Sequence, residues 1–598
     1  MAAPPTDPNL GLVPAPATAS GGEGSVVVPD GTPLVCAPEL APAARWWRRV
    51  IDEAFAVTLL PVQAPAQAPV RPPAQAPARL PAGGTAVVLD LDPALPVGGY
   101  RLETGGRTAL VHAACADLAG AHAAAQTLRQ LAGPQAFRRA ASGAPLVLPV
   151  GTVQDAPRFP WRGVLLDVAR HFLPKADVLR FVDLAAAHHL NVLQLHLTDD
   201  QGWRVEIERY PRLTEVGGWR RESTVGTWRT GTPDGQPHGG WYTKSDLREI
   251  VAYARERGVT VVPEIDVPGH VEAAVAAYPE LGTRKVPHEV RTTWGVSTDV
   301  LDPSPEALAF FRDVLDEVCE VFDAPWVALG GDEVPTTLWR ASPQVVARAA
   351  RLGLVDDAGE PDVARLHGWF LARLAAHLRA HGRRAVVWDE AFGPDLPADA
   401  VVTCWRGWAV GARALAAGHD VVMAPEQSVY LDHRQSDHPG EPVPVGFVRT
   451  LEDVHGFEPF PAGMDVPDGP GRLLGVQAQV WTEHLDSARR VDYATFPRLA
   501  AFAEAAWTST LPGRRGPCTP ATTAFVERLR RDHLPRLDAA GVEHRPLDGP
   551  RPWQTRPGVA GHPRDLDAEL AAGGWEGVGG WVEEPAPAGA PDDGKDGA

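Results

Sequence analysis

Short apolar runs alternate with longer amphipathic segments across the middle of this 598-residue chain, and that rhythm constrains the fold more than any other feature. The runs are GVLLDVA, NVLQLHLT, TVVPEID, WVALGGDE, RAVVWDE, AVVTCWRG, DVVMAPE and LLGVQAQVWTE. The segments between them, such as KADVLRFVDLAAAHHL and PEALAFFRDVLDEVCEVF, carry apolar residues at i, i+3 and i+4 spacing, which is typical of helices. Repeated βα units indicate a parallel sheet covered by helices. Eight of them predict an α/β fold with a (β/α)8 barrel, and a doubly wound open sheet is the alternative.

Composition divides the rest of the chain. Residues 1–24 are rich in Pro, Ala and Gly, and we expect them to be disordered because they bury too little apolar surface to offset the entropy of ordering. Residues 25–157 contain strand-like and helix-like pieces and predict a small α+β domain, interrupted by a Pro/Ala-rich insertion at 61–84. We assign the barrel to 158–510, and 511–598 to a C-terminal helical extension with a disordered tail.

The bulk properties exclude several classes of partner. A formal net charge of -19 argues against nucleic acid, whose binding requires a basic surface. The five cysteines are scattered without a CxxC pair, so we expect reduced thiols rather than disulfides or a zinc site. The N-terminus has no basic start and no continuous apolar stretch, and no long apolar run follows. We therefore expect a cytoplasmic protein with no membrane segment, or a secreted one if the start is misassigned, and we leave the oligomeric state open.

Polar residues follow the carboxyl end of every predicted barrel strand, which is where such barrels carry their active sites. In chain order they are Asp167, Arg170 and His171; Asp199 and Asp200; Glu264, Asp266 and His270; Asp332 and Glu333; Trp388, Asp389 and Glu390; Trp405 and Arg406; Tyr430 and Asp432; Trp481 and Glu483. One such residue alone would be read as a helix cap or a loop ion pair. A complete ring of them indicates a functional site.

Carboxylates mixed with indoles suit a neutral sugar, because its hydroxyls require acceptors and its C–H faces pack on aromatic planes. A metal site is the main competitor. However, no HxH or HExxH spacing occurs, and no GxxxxGK[ST] loop that would cradle a phosphate. We therefore expect a sugar site that needs no metal and no other cofactor.

The stretch WVALGGDEVP places two adjacent acids directly behind a buried strand. At a strand end the alternation of side chains lapses, so Asp332 and Glu333 can both face the pocket. An ionised Asp332 is expected to raise the proton affinity of Glu333, which makes Glu333 a candidate general acid. Gly330 and Gly331 allow an unusual turn and a close approach of the ligand.

Several separated motifs resemble the family 20 glycoside hydrolases, the β-N-acetylhexosaminidases. They are WRGVLLDVARHF, HLTDDQGW, PEIDVPGH, GGDEVP, VVWDEA, YLDH, QAQVWTE and YATFPRLAAFAEAAW, while GGYRLET and AAAQTLRQL are similar to the small domain that precedes the barrel in this family. The resemblance implies a retaining, substrate-assisted hydrolysis in which the 2-acetamido oxygen of the sugar attacks the anomeric carbon. It implies terminal N-acetylglucosamine or N-acetylgalactosamine as substrate, and exo-acting release of single sugars.

The resemblance also implies a role for each site residue. Glu333 would be the general acid and then the base, Asp332 would hold the acetamido N–H, and Tyr430 the acetamido oxygen. The remaining residues would bind the sugar: Arg162, Asp199 and Glu483 at its hydroxyls, Asp432 in support, His270 in the pocket, and Trp388, Trp405 and Trp481 as an indole box.

Two positions depart from the pattern. Ala328 replaces a common histidine, so a hydrogen bond near Asp332 is expected to be missing, and Phe457 stands where Trp is frequent. The residues leave three alternatives open, namely lacto-N-biosidase-like disaccharide release, a sulfated or phosphorylated sugar, and a sugar-binding protein without catalysis.

Overall fold

The computed structural model describes residues 9–63, 86–107, 109–227, 231–461, 463–464, 466, 468–509 and 519–573. Within them, the first domain contains the strands β1 (Thr18–Val28), β2 (Pro33–Cys36), β3 (Leu60–Gln63), β4 (Val87–Leu91), β5 (Tyr100–Thr104), β6 (Val111–Cys115) and β7 (Leu146–Asp155). These pair in the order β1-β7-β5-β6-β4-β2-β3 as one mixed sheet. Helices Ala41–Phe55 and Leu118–Leu131 supply Trp47, Ile51 and Leu128 to the core beside the sheet. This is the predicted α+β domain.

The second unit is a closed barrel of parallel strands. Its strands in the described residues are β8 (Trp161–Asp167), β9 (Val192–His196), β10 (Thr260–Glu264), β11 (Trp326–Ala328), β12 (Arg384–Trp388), β13 (Val401–Cys404), β14 (Asp420–Met423) and β15 (Leu473–Val480). Each strand pairs with its neighbour in sequence, and β15 closes on β8. All eight apolar runs are therefore confirmed as barrel strands, and the open-sheet alternative is wrong.

Helices surround the barrel, and shorter elements decorate its loops. The α-helices that follow the first domain are Lys175–Ala187, Arg212–Glu215, Lys244–Arg255, Glu272–Ala277, Pro305–Val321, Thr337–Ala341, Pro343–Arg351, Arg365–Ala380, Ala409–Ala417, Glu426–Val429, Leu451–His455, Ala488–Thr495, Arg498–Trp507, Pro520–Arg528, Leu534–Ala539 and Leu566–Gly573. Two-residue strands pair Thr198–Asp199 with Gly202–Trp203, Trp219–Arg220 with His238–Gly239, Thr224–Val225 with Thr232–Pro233, and Val445–Gly446 with His562–Pro563.

The barrel interior is layered, and the layers place the site. Val192, Val262 and Val386 belong to an apolar cluster that fills the amino-terminal half of the barrel. Along β9 and β10 the next inward positions are Gln194 and Glu264, because successive side chains of a strand alternate between the two faces. The apolar floor thus gives way to a polar layer near the carboxyl ends of the strands.

A chain of side-chain hydrogen bonds crosses that polar layer. The Trp161 indole donates to Gln477 Oε1 at 3.1 Å, and Gln477 Nε2 donates to Gln194 Oε1 at 2.9 Å. Gln194 Nε2 in turn donates to Glu264 Oε2 at 2.9 Å, while the Trp388 indole donates to Glu264 Oε1 at 3.0 Å. Buried polar groups of this kind are stable only when they are paired. These hydrogen bonds connect the apolar amino-terminal half of the barrel to the polar residues at the carboxyl ends of the strands.

The expectation of disorder for residues 1–24 is wrong where the structure describes them. Leu12 and Val13 are buried, and Thr18–Val28 forms β1, which pairs antiparallel with β7. Two apolar residues, Leu12 and Val13, are too few to alter the composition of this Pro/Ala/Gly-rich segment. Each nevertheless packs into a hydrophobic core. The predicted insertion begins inside β3, which ends at Gln63; its remainder, the first eight residues and the acidic tail from 574 lie outside the described residues.

Two further observations concern the whole molecule. Among the residues described, Cys36, Cys115, Cys319 and Cys404 are free thiols. None of the helices in the described part of the chain combines the length and the apolar composition that crossing a bilayer requires.

Candidate active site

A cavity of about 190 Å³ opens at the carboxyl end of the barrel strands. Residues from six strand ends and from the C-terminal segment line it: Arg170, Asp332, Glu333, Trp388, Trp405, Glu426, Tyr430, Asp432, His433, Trp481, Glu483 and Arg564. Eight of the eleven sugar-site residues that the sequence predicted therefore line one cavity. Of the other three, Asp199 and His270 lie directly behind it, and Arg162 does not reach it.

The adjacent acids sit in a turn that only glycine permits. Gly330 and Gly331 both have positive φ, and a Cβ at Gly330 would lie 1.9 Å from Asp266 Oδ1. The Gly331 N–H donates to the same oxygen at 3.0 Å. Glu333 itself has φ of +47°, a left-handed conformation that is uncommon outside glycine. The turn brings two consecutive carboxylates to one cavity, which a regular strand could not do.

His270 connects the acidic pair to Asp199. Its Nδ1 lies 3.2 Å from Asp199 Oδ1, and its Nε2 lies 3.4 Å from Glu333 Oε2 and 3.6 Å from Asp332 Oδ2. Burial opposes a charged imidazole, but the surrounding carboxylates, Asp199 first, outweigh it and raise the pKa of His270 well above its usual value. A buried imidazolium thus compensates the negative charge of the pair.

Asp199 is a central anchor rather than a cavity wall. It is fully buried, and Arg170 Nη2 and His196 Nε2 each lie 2.8 Å from its Oδ2. Burial would raise its pKa, yet Arg170 and His270 lower it well below the usual value. Asp199 remains ionised and holds two cations in place.

Asp266 supports Asp332 from below. Burial and the neighbouring Asp332 raise the pKa of Asp266 well above its usual value, which keeps it protonated. Burial also raises the pKa of Asp332, while His270 and a hydrogen bond from Asp266 act in the opposite direction. The net shift of the Asp332 pKa is upward, so His270 and Asp266 offset the effect of burial only in part.

Four aromatic residues form one wall of the cavity. The Trp388 and Trp481 ring centroids are 6.1 Å apart, and those of Trp405 and Tyr430 are 6.3 Å apart. Trp388 is fixed by Glu264, and the Trp405 indole donates to Glu390 Oε2 at 2.9 Å. Burial raises the pKa of Tyr430 well above its usual value, so its hydroxyl stays a hydrogen-bond donor. Such a box accepts a small apolar group that ends in a polar oxygen.

Asp432 and Glu483 supply oxygens on another side. Burial raises the pKa of each carboxyl to about 7, and Arg170 opposes this shift at Glu483. The Arg170 guanidinium also lies over the Trp481 ring at 5.0 Å. Cation and carboxylates together make a pocket edge suited to hydroxyl groups.

The assignment of Arg162 to the site is a prediction that the structure corrects. Arg162 is the second residue of β8, so it lies at the amino-terminal end of the barrel, where its Nε donates to His189 O at 2.8 Å and its guanidinium covers the Trp507 ring. The arginine of the cavity is Arg170, which follows the carboxyl end of the same strand. Arg162 stands near the start of β8 and Arg170 follows its end, so the direction of the strand decides which arginine reaches the cavity.

The two departures from the family pattern also lie away from the cavity lining. Ala328 packs in the apolar barrel interior, and Phe457 stacks on Phe502 with ring centroids 6.2 Å apart. Three further residues line the cavity and were not predicted as site residues, namely Glu426, His433 and Arg564. His433 follows Asp432 directly, so its position beside a strand-end acid was a usable signal, whereas nothing local marks Arg564.

Groups of His and Asp lie close enough together to hold a cation. Asp199, Asp200 and His270 form one such group, and Asp266, His270 and Asp332 form another. Their atoms are already engaged in the ion pairs described above, and Arg170 and His270 supply positive charge. The absence of a metal requirement remains a prediction.

Comparison with known proteins agrees with this geometry. Residues 159–510 match the model of the glycosyl hydrolase family 20 catalytic domain, and residues 9–156 match domain 2 of the same family. A beta-hexosaminidase of Porphyromonas gingivalis is 35% identical over 552 residues, which is 91% of this chain and 65% of that protein. A beta-N-acetylhexosaminidase of Cellulomonas fimi is 35% identical over 431 residues, which is 71% of this chain and 77% of that protein.

Solved structures are similar as well. The Streptomyces plicatus N-acetyl-beta-hexosaminidase in complex with Thio-NAglucal superposes with a TM-score of 0.72 at 28% identity, covering 92% of this chain and 98% of that one. The family 20 exo beta-N-acetylglucosaminidase of Vibrio harveyi in complex with N-acetylglucosamine gives 0.72 at 29% identity, covering 90% and 78%. This chain belongs to glycosyl hydrolase family 20.

Proposed function

We propose that this protein is an exo-acting β-N-acetylhexosaminidase that removes terminal N-acetylglucosamine or N-acetylgalactosamine from oligosaccharides or glycoconjugates. The observation that carries the proposal is the pairing of Asp332 and Glu333 at one cavity, beside an indole box that ends in the Tyr430 hydroxyl. Apolar indole faces that end in a hydroxyl donor suit an N-acetyl group, and the acids supply the proton chemistry of glycoside cleavage.

Each group has a distinct role in the retaining, substrate-assisted reaction. Glu333 donates its proton to the glycosidic oxygen while the acetamido oxygen of the sugar attacks C1, so the glycosidic bond breaks and an oxazolinium ion forms. Asp332, beside Asp266 and the His270 imidazolium, accepts the acetamido N–H and balances the positive charge. Tyr430 remains a neutral donor to the acetamido oxygen. Glu333 then takes a proton from the water that opens the ring.

The shared imidazole supports participation of the sugar rather than of an enzyme nucleophile. Both acids approach the Nε2 atom of His270, so they stand on the same side of the cavity. A carboxylate nucleophile would have to face the acid across the anomeric carbon. Asp432 and Glu483 instead belong to the hydroxyl-binding edge.

The test compares two p-nitrophenyl glycosides that differ only at C2, the β-N-acetylglucosaminide and the β-glucoside. We expect the first to be cleaved at least about a thousandfold faster in kcat/KM, because the second lacks the internal nucleophile. A thiazoline mimic of the bicyclic intermediate should inhibit competitively. Equal rates on the two glycosides, or no inhibition, would overturn the proposal.

A further inference from the structure

One wall of the sugar cavity comes from a segment that follows the barrel. Arg564 lies in the segment 561–573, well beyond residue 510, where the match to the catalytic-domain family ends. His562–Pro563 pairs in parallel with Val445–Gly446, and the Arg564 N–H donates to Gly446 O at 2.9 Å. Backbone hydrogen bonds therefore fix where this segment meets the cavity.

The Arg564 guanidinium is fully engaged with protein groups. It forms a bidentate pair with Glu569 at 2.8 and 2.6 Å, and its Nη1 donates to Glu426 Oε1. One face covers the Phe447 ring at 4.3 Å. Because its edges and one face are occupied, Arg564 is not a free cation for an anionic ligand.

Glu426, in contrast to Arg564, keeps an oxygen without a hydrogen-bond partner among the described residues. It is buried, yet hydrogen bonds from His433 and Arg564 outweigh the effect of burial and lower its pKa, so it is ionised. Oε1 receives Arg564 and lies 3.3 Å from His433 Nε2, but Oε2 is buried and has no hydrogen-bond partner in the described part of the chain. An ionised oxygen in that condition is costly unless a donor arrives.

Two other carboxylates of the cavity share this property. Asp332 Oδ1 and Asp432 Oδ1 are likewise buried without a partner among the described residues, and both line the same cavity as Glu426. The proposed function already gives these two carboxylates sugar donors. Glu426 is the third member of the set.

We propose that Glu426 is a further sugar-binding residue, which accepts a hydrogen bond from a hydroxyl of the bound saccharide, and that Arg564 is the positioning residue that holds its carboxylate toward the cavity. The identity of the saccharide rests on the proposed function; the contact itself does not.

The charges of this wall bear on substrate choice. Glu426 and Glu569 carry two negative charges against the single positive charge of Arg564, and burial lowers the pKa of His433, which leaves its imidazole neutral. A negative wall attracts hydroxyl donors and repels sulfate or phosphate. This wall therefore favours a neutral over an anionic substituent beside it.

The experiment measures three variants of the full chain. Glu426→Gln keeps the shape and removes the charge, and Arg564→Met removes the clamp. Arg180→Met is the matched control, because Arg180 also forms a bidentate pair, with Asp492 at 2.8 and 2.7 Å, outside the sugar cavity. Readouts are KM and kcat on p-nitrophenyl N-acetylglucosaminide, the Kd of N-acetylglucosamine from tryptophan fluorescence, and thermal unfolding to verify folding.

We expect Glu426→Gln to raise KM and Kd by about tenfold with kcat within about threefold, since a charge-assisted hydrogen bond to the sugar is lost. Arg564→Met should move both constants in the same direction, and Arg180→Met should move neither. Unchanged Kd and KM in a folded Glu426→Gln protein would overturn the inference and leave the proposed function intact. Faster cleavage of a sulfated than of a neutral N-acetylglucosaminide would also overturn it. Failure of the wild type to cleave N-acetylglucosaminides would overturn the proposed function, while the Kd comparison still decides the role of Glu426.

Discussion

At the scale of single residues, Glu333 gives the sharpest prediction. Its carboxylate is held between His270 and the cavity, where it can protonate a leaving oxygen. Glu333→Gln should lower kcat on chitobiose by about 10²–10⁴, because a sugar leaving group requires the proton. A 2,4-dinitrophenyl glycoside leaves without that help and should lose far less, with KM within a few-fold for both. Equal losses on the two substrates would contradict the role of general acid.

The raised pKa of Glu483 leads to a prediction about how the free energy of unfolding depends on pH. Its pKa is raised from 4.5 to about 7 in the folded protein, chiefly by burial, so ionisation is penalised only in the folded state. The contribution of Glu483 to wild-type stability is therefore greatest below the unfolded pKa and is lost as the pH rises from about 4.5 to about 7. Glu483→Gln, which cannot ionise, should gain about 2–3 kcal/mol of unfolding free energy relative to wild type between pH 5 and pH 8.

Urea unfolding at the two pH values measures the difference. Glu306→Gln, at the exposed start of helix Pro305–Val321, controls for the loss of a surface carboxylate. A wild-type to Glu483→Gln difference that stays constant from pH 5 to pH 8 would show that burial does not raise the pKa of this carboxyl.

At the scale of elements, the turn after β11 connects backbone conformation to catalysis. Gly330→Ala places a methyl group against Asp266 and in a left-handed conformation, so the turn must shift and Asp332 with it. Gly353→Ala is the matched control, because Gly353 has a similar positive φ, while no atom of the described residues lies within 4 Å of an added Cβ.

We expect about 1 kcal/mol of destabilisation and full activity from Gly353→Ala, since only the conformational strain applies. Gly330→Ala should lose several times more stability and at least about a hundredfold in kcat. Thermal unfolding and steady-state kinetics on both variants make the comparison. Similar kcat values for the two would show that Asp266 tolerates displacement.

Elements with a local sequence pattern could be predicted, whereas contacts between residues far apart in the chain could not. Each barrel strand is a compact apolar run, and its polar end residues follow directly, so the strand positions and nine of the cavity-lining residues could be predicted from the sequence. Helix Ala41–Phe55 was missed although Trp46, Trp47 and Ile51 mark its buried face. Arg564 reaches the cavity only because a distant strand pair places it there, and no local pattern encodes that pairing.

At the scale of the whole molecule, the N-terminal segment joins the two domains. Leu12 lies in the core of the first domain, and its neighbour Val13 lies in the core of the barrel. Val13 N donates to Gln130 Oε1 at 3.0 Å, and Gln130 Nε2 donates back to Val13 O at 2.7 Å. Arg536, from the helical extension, also contacts Gln130. One short segment therefore connects three parts of the fold.

This arrangement predicts that two valines of the same N-terminal region differ sharply when each is cut to alanine. Val13→Ala removes buried methyl groups at the junction, and the cavity cannot collapse between two packed cores. We expect the free energy of unfolding to fall by about 2 kcal/mol, with both domains affected in the same transition. Val27→Ala, on a side chain that is 52% exposed, should change stability by less than about 0.5 kcal/mol. Guanidinium unfolding followed by near-UV circular dichroism and by activity measures both. If Val13→Ala unfolds the first domain while the barrel keeps its wild-type midpoint and activity, the N-terminal segment does not couple the two cores.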